Sequence, residues 1–163
     1  PLTELLTGIN LVKEQIRVAA GEELGYKQED IQLRGWAIEC RINAEDPFMN
    51  FLPAPAKLTA YDPPGGFGVR VDGGVYAGYQ IPFHYDSLIA KLLSWGRTRN
   101  EAIETMKRAL KEYHVEGVKT NIPFHIVALD NESCRKGDYT THFVEEQGIV
   151  KKLRELKKAG VFT

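Results

Sequence analysis

The chain has no surplus of charge of either sign: 21 Lys and Arg stand against 22 Asp and Glu, a formal net charge of -1. That balance removes the electrostatic reason to expect a nucleic acid partner, because affinity for a phosphate backbone comes largely from an excess of cations. No apolar run approaches the roughly 20 residues of a membrane span, and the opening residues lack the basic-then-apolar order of a signal peptide, so no membrane partner is predicted. Cysteine is scarce. Cys40 and Cys134 lie far apart and outside any CxxC or His/Cys cluster, which argues against structural zinc and fits a reduced, cytoplasmic setting. His84, His114, His125 and His142 form neither an i, i+4 pair nor an HExxH motif, so no metal site is predicted. Repeats and low-complexity segments are missing as well. What remains is 163 residues with 43% hydrophobic and 26% charged content, the make-up of one domain with its own core.

Short elements separated by Gly and Pro organise the chain. Leu11, Val12, Ile16 and Ala19 recur at helical spacing after Asn10, a good N-cap, and Gly21 supplies a left-handed stop. From Trp36 the period changes to two, with Trp36, Ile38, Cys40 and Ile42 on one face and Ala37, Glu39, Arg41 and Asn43 on the other, which predicts a strand buried on one side. Prolines and glycines then divide Lys57 to Tyr61, Gly68 to Val71 and Val75 to Ile81 into short strand candidates of an antiparallel meander. Ile89 to Trp95 reads as a more buried strand. Thr98 and Glu101 form a capping box that opens the clearest helix, with Ile103, Met106, Leu110 and Tyr113 as its apolar stripe. A strand near His114 to Val118 and helices near Pro123 to Leu129 and Tyr139 to Glu146 follow. The weakly apolar, basic stretch from Ile149 to Lys158 predicts a surface helix or a fraying end. Strands gathered in the middle with helices at both ends predict an α+β fold, mainly an antiparallel sheet flanked by helices.

Arg41 is the leading chemical candidate. It projects from mid-strand between Glu39 and Asn43, and a guanidinium there offers a planar fork of donors, charged at any working pH, in a fixed direction. That suits an anion or a developing oxyanion, although an ordinary solvated sheet face accounts for the same three residues. Asp86 in Tyr85-Asp86-Ser87 reads either as a turn initiator or as a carboxylate that orients a cation. Gly65-Gly66-Phe67-Gly68 lacks the GxxxxGK[ST] spacing of a phosphate loop and reads as a turn.

Three stretches taken together say more. Arg34-Gly35-Trp36-Ala37-Ile38-Glu39-Cys40-Arg41-Ile42-Asn43-Ala44-Glu45-Asp46-Pro47, then Pro63-Pro64-Gly65-Gly66-Phe67-Gly68-Val69-Arg70, then Tyr85-Asp86-Ser87-Leu88-Ile89-Ala90-Lys91-Leu92 resemble, in order and separation, the C-terminal domain of biotin carboxylase. The resemblance runs from Pro1 to about Glu146, with Trp36 where many members have His and Ala54 and Ala56 where Ser and Gly are common. It implies one C-terminal domain over residues 1–163, with residues 1–20 a helical lead-in from an ATP-grasp domain that ends just before Pro1 and residues 147–163 a tail helix. It also implies an ATP-dependent ligase that carboxylates biotin on a separate carrier, using ATP, magnesium and bicarbonate. The carrier, a carboxyltransferase and the N-terminal and ATP-grasp domains would be its partners.

By the same resemblance Arg41 contacts bicarbonate and the biotin ureido oxygen, with Asp86 and Glu39 supporting it. Phe67 and Arg70 would take part in a homodimer contact, against a locally packed Phe and a solvated Arg. Thr141, in Thr140-Thr141-His142, would lie near the adenine, against a plain helix start. Lys107 follows Met106 but precedes Arg108 inside the capped helix, which argues against it as a biotin attachment site. With no phosphate loop and no carboxylate pair for magnesium, this stretch alone is predicted not to turn over ATP. The alternative is a free-standing dimerisation or carrier-docking module.

Overall fold

The computed structural model describes residues 1–162. In chain order its regular elements are helices α1 (Leu2–Thr7) and α2 (Leu11–Ala19), strands β1 (Trp36–Asn43), β2 (Glu45–Asp46), β3 (Leu52–Pro53), β4 (Ala60–Asp62), β5 (Val69–Gly73) and β6 (Leu88–Gly96), and helix α3 (Arg99–Glu112). Strand β7 (His114–Glu116) and helices α4 (Ile122–Asp130), α5 (Glu132–Lys136), α6 (Phe143–Glu146) and α7 (Ile149–Lys158) complete the chain. This is the α+β arrangement expected. The main sheet has the order β1-β6-β5, antiparallel throughout, so β1 is paired with β6, which is distant in sequence.

The register sorts the side chains into two faces. Cys40, Leu92 and Val71 are cross-strand partners, as are Ile42 and Ala90, and they face α3, whose Ala102, Ile103, Met106, Ala109 and Leu110 are buried against them. Arg41, Lys91 and Asp72 form a row across the opposite face, and Glu39, Leu93 and Arg70 form the next. β6 lies between two strands and is buried on both sides, which is why it reads as an apolar run. The Thr98 hydroxyl caps α3 by accepting from the Glu101 amide at 3.2 Å. The Glu101 carboxylate reaches back one residue further than a reciprocal box requires, to the Arg97 amide at 2.8 Å. Gly68 turns the chain into β5 with φ of 74°, and a Cβ there would meet the Trp95 carbonyl at 2.6 Å, so the glycine-rich stretch is a turn required by close backbone approach.

Several expectations are corrected. Val75 to Ile81 is not a strand: apart from one isolated bridge between Lys57 and Gln80 it is a loop, folded over Leu58, whose amide donates to the Tyr79 carbonyl at 2.9 Å. Lys57 to Tyr61 yields only β4, which pairs with β7. Within Tyr139 to Glu146 only Phe143–Glu146 is helical. Trp36, at the strand's end, is exposed, and its ring centre lies 5.9 Å from the guanidinium of Arg99 at the start of α3. α7 is the surface helix of the two alternatives and not a fraying end. Ile149 and Leu153 are fully buried with Val127 of α4, because α4 is apolar around most of its circumference and accepts even a narrow stripe. α2 is capped by the Asn10 side chain as expected, at 2.9 Å from the Lys13 amide, yet Ile16 is 66% exposed.

Candidate active site

Arg41 sits near the end of an eight-residue strand whose backbone fixes where its side chain points. Its side chain is 56% exposed, and among the described residues its one ion pair is Nη2 to Asp86 Oδ2 at 3.7 Å, too long for a hydrogen bond and short enough for charge attraction. Asp86 therefore turns toward Arg41. The loop carrying Asp86 is held against β1 by its neighbours: Ser87 Oγ donates to Glu45 Oε1 at 2.5 Å, Asn43 Nδ2 donates to the same oxygen at 3.0 Å, and the Ala44 amide donates to the Ser87 carbonyl at 2.8 Å.

Two cavities meet at Tyr85 and Asp86. The larger, about 780 Å³, is lined by Asp72, Gly73, Tyr79, Asp86 and Lys91 among others. The smaller, about 470 Å³, has apolar walls from Leu52, Pro53, Pro55, Pro82 and Phe83. Lys91, directly opposite Arg41 in the register, adds a second cation to this face. Two like charges opposed across a sheet repel each other, so the arrangement suits a ligand that brings negative charge.

Glu39 lies on the same face two residues before Arg41, opposite Leu93, while the guanidinium turns to Asp86. Phe67 is 89% exposed, its ring meeting the Trp95 ring edge-on with centres 6.0 Å apart. Arg70 is not a free solvated cation. Its Nε and Nη2 donate to Asp72 at 2.7 and 2.8 Å and its Nη1 to Glu4 of α1 at 2.8 Å. These partners push the guanidinium above its ordinary value, and the same arginine holds the Asp72 and Glu4 carboxyls below theirs. Thr141 is exposed in the turn before α6, where the hydroxyl bond that fixes the turn is made by Thr140, which accepts from the His142 amide at 3.1 Å.

Sequence reading missed Asn121 and His125. Asn121 Nδ2 donates to the Arg41 carbonyl at 3.0 Å, Asn121 Oδ1 accepts from the Asn43 amide at 3.0 Å, and His125 Nε2 lies 3.0 Å from the same Arg41 carbonyl. Burial pushes the His125 imidazole below the ordinary histidine range, against the opposing pulls of that carbonyl and of Glu45. The Asn-x-Pro sequence at 121–123 marked a helix start, but nothing local marked a contact with β1. Cys40 lies on the dry face, where burial pushes its thiol up to about 12. Among the described residues no three His, Cys, Asp or Glu side chains come together as a metal site, and no helix is long and apolar enough to cross a membrane.

Comparison with known proteins gives the family and the fold. Residues 39–146 match the model of the biotin carboxylase C-terminal domain family. The chain is 58% identical to a pyruvate carboxylase subunit of Methanothermobacter thermautotrophicus over 160 residues, covering 97% of the chain and 33% of that protein. It is 54% identical to biotin carboxylase 1 of Bacillus subtilis over 150 residues, covering 92% of the chain and 33% of the relative. In structure it superposes with a TM-score of 0.89 and 48% identity on the biotin carboxylase domain of Hydrogenobacter thermophilus 2-oxoglutarate carboxylase, over 92% of the chain and 33% of that one, a dimer solved with MgADP, ADP and bicarbonate. The chain thus spans about a third of the length of the curated relatives it matches. On the family match, these identities and the shared fold, the chain belongs to the family of biotin carboxylase C-terminal domains.

Proposed function

We propose that the chain is the C-terminal part of an ATP-dependent carboxylase that attaches the carboxyl group of bicarbonate to biotin on a separate carrier, and that Arg41 is its chemical contribution. The observation that carries this is the state of the guanidinium: fixed on a strand, exposed, loosely paired with Asp86 at 3.7 Å and opposite Lys91. Reaction at the ureido nitrogen of biotin requires that nitrogen to lose its proton, which moves negative charge onto the ureido oxygen. A cation already in place stabilises that charge most where water is excluded. Arg41 would serve the oxygen or the bicarbonate anion, Asp86 would orient the fork, and Glu39 would add to the local field from the same face. The described residues offer no carboxylate cluster for magnesium and no phosphate loop, so the stretch alone is not expected to hydrolyse ATP.

The N-terminal and ATP-grasp domains, the carrier and a carboxyltransferase are the partners this reading requires. The exposed apolar residues of α2 support residues 1–20 as a lead-in to a neighbouring domain, and the exposed Phe67 beside Arg70 supports a homodimer contact. Thr141 keeps a nucleotide-facing role only as an exposed residue beside α6. Two free cysteines suit a reduced cytoplasm. Phe67 also favours a second reading, in which the domain serves dimerisation or carrier docking without catalysis. One experiment separates the two. In the whole carboxylase, Arg41→Ala should slow biotin carboxylation roughly a hundredfold or more, a loss of about 3 kcal/mol of transition-state stabilisation, while ATP affinity holds. Carboxylation at the wild-type rate would refute the catalytic reading and leave the docking one.

A further inference from the structure

β1 has one strand neighbour, β6, so its other edge would present unpaired backbone groups. At Arg41 to Asn43 that edge is filled by a helix and not by a strand. Asn121, 6% exposed, makes three bonds there: its Oδ1 accepts from the Asn43 amide, its own amide donates to the Asn43 carbonyl at 3.2 Å, and its Nδ2 donates to the Arg41 carbonyl. One turn along α4, His125 Nε2 meets the same carbonyl at 3.0 Å. A carbonyl has no proton to give, so Nε2 is the protonated nitrogen of this imidazole and acts as donor. The inner edge is irregular at the same place, because the β1–β6 register shifts between Ile42 and Asn43. The ladder with β6 therefore loses its regular pairing one residue after Arg41, where Asn121, the N-cap of α4, and His125 within it take hold of the backbone.

We propose that Asn121 and His125 are positioning residues for Arg41: they lock its peptide carbonyl from the open strand edge and so fix the direction in which its loosely paired guanidinium projects. The proposal rests on Arg41 being the catalytic cation of the carboxylase. A guanidinium held only by a 3.7 Å ion pair takes its aim from its backbone, and a displacement of about an ångström at a reacting centre costs much of the rate. Arg41 is thus free at its tip and doubly bonded at its base.

The test uses the whole carboxylase and the pair His125→Leu and His125→Gln. Leucine fills the space without a donor, whereas the glutamine amide reaches as an imidazole Nε2 does and donates in its place. His125→Leu should lower kcat for biotin carboxylation about threefold to tenfold with KM for ATP unchanged, and His125→Gln should restore most of it. Asn121→Asp, which keeps the acceptor for the Asn43 amide and loses the donor to Arg41, should cost at least as much; should it fail to fold, the His125 pair decides. In an Arg41→Ala background, His125→Leu should have no further effect, because there is no guanidinium left to aim. Equal rates for His125→Leu and wild type, equal losses for Leu and Gln, or an undiminished loss in the Arg41→Ala background would each overturn the positioning role. A wild-type rate for Arg41→Ala alone would instead remove the catalytic reading beneath it.

Discussion

Arg41 and Arg70 project from the same face of the β1-β6-β5 sheet, one on each outer strand, and the chain treats them in opposite ways. Arg70 makes three hydrogen bonds of 2.7 to 2.8 Å to Asp72 and Glu4, so its fork is filled and it ties α1 to β5. Arg41 has one carboxylate at 3.7 Å, and its side chain is largely open to solvent. Their residue type, strand environment and face are shared. What differs is whether the chain itself supplies the anions. A guanidinium saturated by its own protein is a structural bolt; one left with open donors, on a backbone that is firmly held, is available to something the chain does not contain.

Exchanging each arginine for lysine sharpens this contrast, because lysine keeps the charge and loses the planar fork. In the whole carboxylase, Arg41→Lys should slow biotin carboxylation by roughly tenfold or more, since a point charge cannot reproduce the aligned donors. A smaller effect is expected on stability: Arg70→Lys should lower the midpoint of thermal unfolding by about 2–4 °C, and Arg41→Lys by about 1 °C or less. Equal shifts would break the comparison.

The smallest effect concerns acid. Glu4 and Asp72 are held below their ordinary carboxyl values chiefly by Arg70. A carboxyl depressed in the folded state contributes stability that is fully present above its unfolded value, about 4, and is lost as pH falls through the depressed folded values. Unfolding midpoints measured between about pH 5 and pH 2 should therefore fall less steeply in Arg70→Met than in the wild type. An unchanged slope would mean that the Arg70 cluster is not coupled to folding.

Local periodicity carried much of this structure. β1, β6, α2 and α3 were legible because their patterns have the period of their backbone and their caps are specific residue types, Asn10 and Thr98. Pairing of distant segments was not legible. Nothing in Val75 to Ile81 distinguishes a strand from a loop folded over Leu58, and the fate of α7 was decided by the apolar surface α4 offers it. α2 and α7 carry comparable stripes, yet one stripe is buried and the other faces solvent, since amphipathicity records that a face is made to be covered and not by what. For the site, Arg41 and Asp86 could be named from the motifs they sit in. Asn121 and His125 could not: they reach Arg41 and Asn43 across 78 to 84 residues of chain, from a helix whose own pattern announces only apolar packing.

The most direct test of Arg41 as the open cation is an arginine-selective ¹⁵N and ¹³C NMR titration of the whole carboxylase with bicarbonate and free biotin. The Arg41 guanidinium signals, assigned through Arg41→Lys, should shift on addition of these ligands while those of Arg70, already filled by Asp72 and Glu4, stay in place. Arg41 signals that do not move under conditions where the enzyme turns over would contradict the account.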